Sequence, residues 1–251
     1  MIRNLLFDLD DTLLDFRRAE KNAVSQTASQ LGIPPSPAFL ERYSSVNAVL
    51  WKELEQGTIV RRELKVRRFR ILFREFGYDA DPAEAARLYE AALSKQCIPM
   101  EGSTELLKSL APRFRIYLVT NGTACVQKSR IESSGFSPYL SGVFISELIG
   151  ADKPQPAFFD CCFSKIPDFS RRETLIIGDS LSSDIRGGIN AGIRTVWYNP
   201  SHQRCPDGIA PDFEIHTLPE LKVLLEGTDI GDPKERLNPS TEPEYDKKAV
   251  P

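Results

Sequence analysis

Ile2–Asp15 reads IRNLLFDLDDTLLD. Residues 2–8 have the pattern of a short buried strand, and that strand runs straight into Asp8, Asp10, Asp11 and Asp15. Like charges repel, and burying an unpaired carboxylate costs several kcal/mol or more. Such a cluster is either a solvated turn or a set of acids gathered around something positive.

The remaining strands bear on that choice. FRIYLVTNG (114–122), GVFIS (142–146), TLIIGDS (174–180), RTVWYN (194–199) and FEIHTL (213–218) are apolar, β-rich runs. Helical stretches separate them: STELLKSLA, TACVQKSRIESSG, QPAFFDCCFSKI and SDIRGGINAG, with PELKVLLEG closing the series. Strand–helix alternation predicts a Rossmann-like, doubly wound α/β core whose parallel sheet is covered on both faces.

Between Ala19 and Lys95 the pattern is helical throughout. AEKNAVSQTASQLG stops on Gly32, the next segment begins Ser36-Pro37 and stops on Gly57, and a third stops on Gly77. A fourth begins with Asp81 as N-cap and Pro82 at the first helical position. These are the expected start and stop signals of four consecutive helices. The expected organisation is therefore an α/β core made of residues 1–16 and 98–227, interrupted by an all-helical cap at 17–97. Residues 228–251 are charged, contain prolines and lack apolar periodicity, so they are expected to be a disordered tail.

In an open parallel sheet, ligands bind beyond the carboxyl ends of the strands. The predicted strands end in Asp8-Leu9-Asp10, in Thr120-Asn121-Gly122 and in Gly178-Asp179-Ser180, with Lys153 shortly after GVFIS and Asp184 shortly after GDS. A parallel sheet brings all of these to one edge. Oxygen donors without histidine or useful cysteine suit a hard cation, Mg²⁺ above all where phosphate is handled. The opening acids then cluster because they hold a metal, which with Lys153 can hold a phosphate dianion. Aspartate is a known covalent nucleophile toward phosphorus. Asp8 is placed to attack, and Asp10 to protonate the leaving oxygen and later deprotonate water. Thr120, Asn121 and Lys153 are the expected phosphate binders.

Composition narrows the class. The chain has 251 residues, enough for one large domain or two smaller ones, and a formal net charge of −3. That charge gives no reason to expect a nucleic-acid polymer or an anionic membrane as partner. There is no 18-residue apolar run and no signal-peptide pattern at the N-terminus. Five cysteines, odd in number and without a C-x-x-C, suit a reducing cytoplasm. Two histidines leave little room for a histidine-based triad. A monomer or weak homodimer is expected.

Taken in order, D-x-D-x-T-L (Asp8 to Leu13), Thr120, Lys153-Pro154 and GDS-x3-D (Asp179 to Asp184) resemble the four motifs of the haloacid dehalogenase superfamily, in its phosphatase branch. The resemblance covers about residues 1–227. It implies that Asp8 is the nucleophile and Asp10 the acid/base. It further implies that Asp8, Asp179 and the main-chain carbonyl of Asp10 ligate Mg²⁺, that Asp184 supports the metal shell, and that the helical insert is a C1-type cap. Position 11 departs from the pattern, being Asp where many members carry Gly; Asp11 is read as a turn or supporting residue.

FDLDDTLLDF, WKELEQGTI, LVTNG and TLIIGDSLSSDI are also similar to a subgroup of bacterial 5′-nucleotidases acting on pyrimidine nucleoside monophosphates. The expected activity is thus Mg²⁺-dependent hydrolysis of a small phosphomonoester through an aspartyl-phosphate. A sugar phosphatase of the N-acylneuraminate-9-phosphatase or phosphoglycolate phosphatase type is the nearer rival. Carbon–halogen cleavage would leave Asp10 and the metal-type acids idle. An inactive binding protein on the same fold would be signalled by loss of Asp8, Asp10, Lys153 or Asp179, and all four are present.

In the cap, the cations Arg61 to Arg70 read mainly as a solvated helix face. Phe69, Leu72, Phe73 and Phe76 read as cap core. Trp51, Tyr43 and Arg68 are the candidates for contacting a base, with simple packing as the competing reading for Trp51.

Overall fold

Four residues, Asn4–Phe7, form the first strand, β1, and all four are buried. Their alternation explains why. Leu5 and Phe7 face one hydrophobic cluster while Leu6 faces another, as period-two geometry requires of a strand covered on both sides. The computed structural model describes residues 1–227; the expected tail, 228–251, lies outside the described residues.

After β1 come α1 (Phe16–Gln30), α2 (Pro37–Glu55), α3 (Arg61–Phe76) and α4 (Pro82–Leu93). Then follow α5 (Ser103–Leu110), β2 (Arg115–Thr120), α6 (Ala124–Ser134), β3 (Gly142–Ile145), α7 (Ser146–Ile149) and α8 (Pro156–Lys165). The described chain finishes with β4 (Thr174–Gly178), α9 (Arg186–Asn190), β5 (Arg194–Tyr198), β6 (Phe213–Ile215) and α10 (Leu218–Gly227). The six strands form one sheet in the order β3-β2-β1-β4-β5-β6. All neighbouring pairs are parallel, and Phe7 is in register with both Leu118 and Ile177. The strand order turns back at β1, so its carboxyl end opens on the crevice where ligands bind in such sheets. Among the described residues no helix is long and apolar enough to cross a membrane.

Helices α1–α4 build a core of their own around Ala23, Phe39, Tyr43, Phe69, Leu72 and Tyr89. Helix α1 starts at Phe16, earlier than the sequence pattern suggests, because two of the opening acids cap it. Asp11 accepts from the Phe16 and Arg17 amides (3.0 and 3.1 Å), and Asp15 from the Arg18 amide (2.9 Å). Capping carboxylates satisfy amides that have no partner inside the helix. Asp11 sits at φ 58°, a left-handed conformation that Asp tolerates better than most side chains. The chain leaves β1 and returns to α5 along paired connections, with Asp15 N–H donating to Ile98 O (2.8 Å) and Met100 N–H to Leu13 O (2.9 Å).

Close approach of α9 to the sheet depends on Gly188. A Cβ there would lie 2.5 Å from Ile176 Cγ2 and 2.6 Å from Thr195 Cγ2. Gly188→Ala is expected to cost about 1–3 kcal/mol through overpacking, read as a lower urea midpoint. Wild-type stability would show that α9 shifts without penalty.

Candidate active site

The carboxyl ends of β1, β2 and β4 deliver Asp8, Thr120 and Asp179 to one edge of the sheet, and the segment after α7 delivers Lys153 beside them. Lys153 is almost wholly buried. Its Nζ donates to Asp8 Oδ1 (2.7 Å), Asp184 Oδ1 (2.6 Å) and Val119 O (2.7 Å). An ammonium has three donors, and here each has an acceptor. Burial would lower the pKa of this lysine, but Asp184 and Asp8 outweigh it and hold the ammonium above the usual lysine range.

The acids pay an electrostatic penalty for their crowding. Burial pushes Asp8 up to about 7, with Lys153 pulling it down and Asp184 and Asp10 adding to the rise. Burial also raises Asp179 well above the usual carboxylate range, and Asp8, Asp184 and Asp11 raise it further. Oxygens of Asp8, Asp179 and Asp184 lie within 4.8 Å of one another. Two buried carboxylates and a half-buried one at that spacing, with one ammonium among them, fit a hard divalent cation.

Each acid is held by its local structure. Asp179 N–H donates to Thr12 Oγ1 (3.1 Å), and Trp197 Nε1 donates to Asp179 O (2.9 Å). A π-helical turn, Leu181–Ile185, follows β4, and Ser180 caps it through Ser183 N–H (3.2 Å). That turn carries Asp184 back to the site, where Oδ2 accepts from Ser180 N–H (3.1 Å).

Asn121 has a different job from the one its position suggests. Its amide is locked on the main chain of Lys153, Nδ2 donating to the carbonyl and Oδ1 accepting from the N–H, both at 2.9 Å. The side chain braces Lys153, and both ends of its amide are engaged there.

Asp10 meets two residues that the sequence did not single out. Arg130 pairs with its Oδ1, and Gln127 Nε2 donates to its Oδ2 (2.7 Å) and to Thr120 Oγ1 (2.8 Å). The only hint in sequence is the i, i+3 spacing of Gln127 and Arg130 on α6, which sets both on one face; the contact with Asp10 spans 120 residues.

A cavity of about 860 Å³, counting its open mouth, lies between these groups and the helical unit. Its floor includes Asp8, Asp10, Thr120, Lys153 and Asp179, and Phe16, Trp51, Glu55, Arg68, Tyr89 and Leu93 line its helical side. Arg68, a candidate for contacting a base, is 4% exposed and lines the cavity, so the cations of α3 are not all on a solvated face. Its Nη1 donates to Asn47 Oδ1 (3.1 Å), Asn47 donates to Glu20 (2.7 Å), and the guanidinium lies 4.3 Å from the Tyr89 ring centroid. Tyr43 is fully buried against Phe69 and Tyr89 and does not line the cavity, so it supports Arg68 from beneath and cannot stack on a ligand there. Arg61 is also drawn out of solvent. It lies over the Trp51 ring, donates to Asn121 O (2.6 Å) and Ser146 Oγ (2.7 Å), and pairs with Asp152.

A parallel α/β sheet with an aspartate-and-lysine cluster at its switch point, roofed by an inserted helical unit, defines a hydrolase-type site suited to small anionic substrates. The chain belongs to the haloacid dehalogenase-like hydrolase family, whose profile matches residues 5–198. It is 41% identical to the pyrimidine 5′-nucleotidase PynA of Streptococcus pneumoniae, over 88% of this chain and 94% of that protein. It is 30% identical to the pyrimidine 5′-nucleotidase YjjG of Escherichia coli, over 88% and 96% of the two chains. The magnesium-bound crystal structure of the HAD-hydrolase YfnB from Bacillus subtilis, described as revealing interdomain movement, superposes with a TM-score of 0.86. That match is at 39% identity and covers 89% of this chain and 98% of that one.

Proposed function

We propose that the protein is a Mg²⁺-dependent phosphomonoester hydrolase acting on pyrimidine nucleoside 5′-monophosphates. The observation that carries this is Lys153 joining Asp8 to Asp184 on the floor of a cavity roofed by Trp51 and Arg68. The likeness to PynA and YjjG supports the substrate class. So does the aromatic and aliphatic wall of Phe16, Trp51 and Leu93, which suits a flat base better than a hexose.

Asp8 Oδ1 holds the Lys153 ammonium, leaving Oδ2 to attack phosphorus in line with the ester oxygen. The P–O ester bond breaks, and Asp10 gives its proton to the departing ribose 5′-oxygen. Asp10, now a carboxylate, takes a proton from water as that water attacks the aspartyl-phosphate, and inorganic phosphate and the Asp8 carboxylate are released. Thr120 Oγ1, main-chain amides of the 120–122 turn and Lys153 would bind the non-bridging oxygens. Asp8, Asp179, Asp184 and the main-chain carbonyl of Asp10 would hold the cation, which when bound neutralises charge on the phosphoryl group and the acids. Helices α1–α4 would act as a cap over the cavity, with the paired connections as hinge. Unpaired cysteines throughout support a cytoplasmic setting.

Phosphate release from a panel of nucleoside monophosphates and sugar phosphates tests this. UMP, dUMP or dTMP is expected to give the highest kcat/KM, and exhaustive chelation to abolish turnover. A hexose or sialic acid phosphate outrunning every nucleotide would overturn the substrate class, and full turnover after chelation would overturn the metal.

A further inference from the structure

We infer that Gln127 and Arg130 are positioning residues that aim the Asp10 carboxyl for proton transfer and tie it to the hinge of the helical unit; this rests on the phosphatase reading above. Asp10 is partly open to the cavity, whereas Gln127 and Arg130 are buried beneath it. Gln127 takes Oδ2 and Arg130 takes Oδ1, and the two are joined by Arg130 Nη1 donating to Gln127 Oε1 (3.0 Å). Each Asp10 oxygen keeps a second lone pair. The catalytic proton is thereby confined to the sides of the carboxyl that these donors leave open.

Arg130 also reaches the returning connection, its Nε donating to Gln96 O (3.0 Å). Ser129 of the same helix donates to Ser94 O (2.9 Å), and Asn22 of α1 donates to Gln96 Oε1 (3.1 Å). One guanidinium therefore touches both Asp10 and the segment about which the helical unit would swing. Lysine, with a single ammonium, cannot reproduce that planar fork.

Two further observations separate this from a role in folding alone. Arg130 Nη2 is buried and has no partner, a costly state for a guanidinium kept only to brace the core, and Arg130 lines the cavity. In addition, the Gln127 amide occupies the space a side chain at 122 would need. A Cβ on Gly122 would meet Gln127 Nε2 at 2.3 Å. Because Cδ and Cγ of Gln127 would also lie at 2.4 and 2.6 Å, Gly122→Ala should displace the Gln127 side chain from Cγ outward and so take its amide off Asp10.

The test compares two leaving groups in a single turnover with Mg²⁺. Release of the nucleoside from UMP requires a proton at the departing alkoxide; release of nitrophenolate from p-nitrophenyl phosphate requires little. Arg130→Lys, Gln127→Leu and Gly122→Ala are each expected to slow the nucleotide at least about ten-fold more than the nitrophenyl ester, a part of the 10²–10⁴-fold that a general acid contributes. Equal slowing of both esters, or none, would overturn the inference and leave these residues as packing. Wild-type protein releasing neither product is a separate result, which would overturn the phosphatase reading itself.

Discussion

Asp8→Asn is expected to lower turnover of every ester by about 10⁴–10⁶-fold, the scale on which removing a member of a serine protease's catalytic triad acts. A neutral amide is a poor nucleophile and a poorer ligand for a hard cation. The substitution also removes the negative charge that Lys153 contacts at 2.7 Å. The folded state should survive it. Asp8 is held near pH 7 mainly by burial, so replacing it relieves crowding among the acids even as it weakens the pairing with Lys153. Steady-state kinetics on UMP and p-nitrophenyl phosphate, beside urea unfolding, separate the two effects. Residual activity within ten-fold of wild type would mean that another group attacks phosphorus.

Lys153→Met has the second large effect, and it falls on stability as well as on activity. The ammonium is the sole cation bonded to both Asp8 and Asp184 among the interactions described. Its removal leaves buried carboxylates without a partner, and breaking a buried pair in this way costs about 3–5 kcal/mol. The pH dependence has a definite sign. Asp8 already has a folded pKa of about 7, above the ordinary carboxylate value, and loss of Lys153 raises it further. A carboxyl whose folded pKa is raised contributes stability below its unfolded pKa and loses it as pH rises through the folded one. The variant, in chelator, is therefore expected to lose urea midpoint between pH 5 and pH 8 more steeply than wild type. Millimolar Mg²⁺ should restore part of the loss, because a cation that binds only the folded site stabilises it by mass action. A midpoint indifferent to both pH and Mg²⁺ would contradict the electrostatic account of the cluster.

Much of this site can be read in the sequence because strand, turn and acid are adjacent there. LLF before Asp8, YLV before Thr120 and LII before Gly178 announce both the strand and the point where it stops. All six predicted strands are present, and the parallel order carries their ends to one edge. What escapes is tertiary. Asp11 and Asp15 look like members of the acid cluster, yet they cap α1, because only the path of the chain decides whether a carboxylate meets a helix end or a sheet edge. The four-residue helix α7 is too short to show a period. Arg130 looks like a surface cation in a charged helix, but it is buried by partners distant in sequence, Asp10 and Gln96. Arg68, legible as a residue that could contact a base, is held by Asn47 and the Tyr89 ring, which the sequence does not place beside it. Charge patterning along a helix carries no information about such partners.

The two roles assigned to Asp8 and Asp10 are the centre of this account, and rapid mixing tests them most directly. With Asp10→Asn, p-nitrophenyl phosphate needs little help from an acid in the first step, while hydrolysis of the aspartyl-phosphate lacks its base. The expected record is a burst of about one nitrophenolate per site followed by slow turnover, the usual sign of a trapped covalent intermediate, with the phosphoryl group found on the peptide containing Asp8. Asp8→Asn should give no burst. A burst from Asp8→Asn and none from Asp10→Asn would contradict the assignment and reverse the two roles.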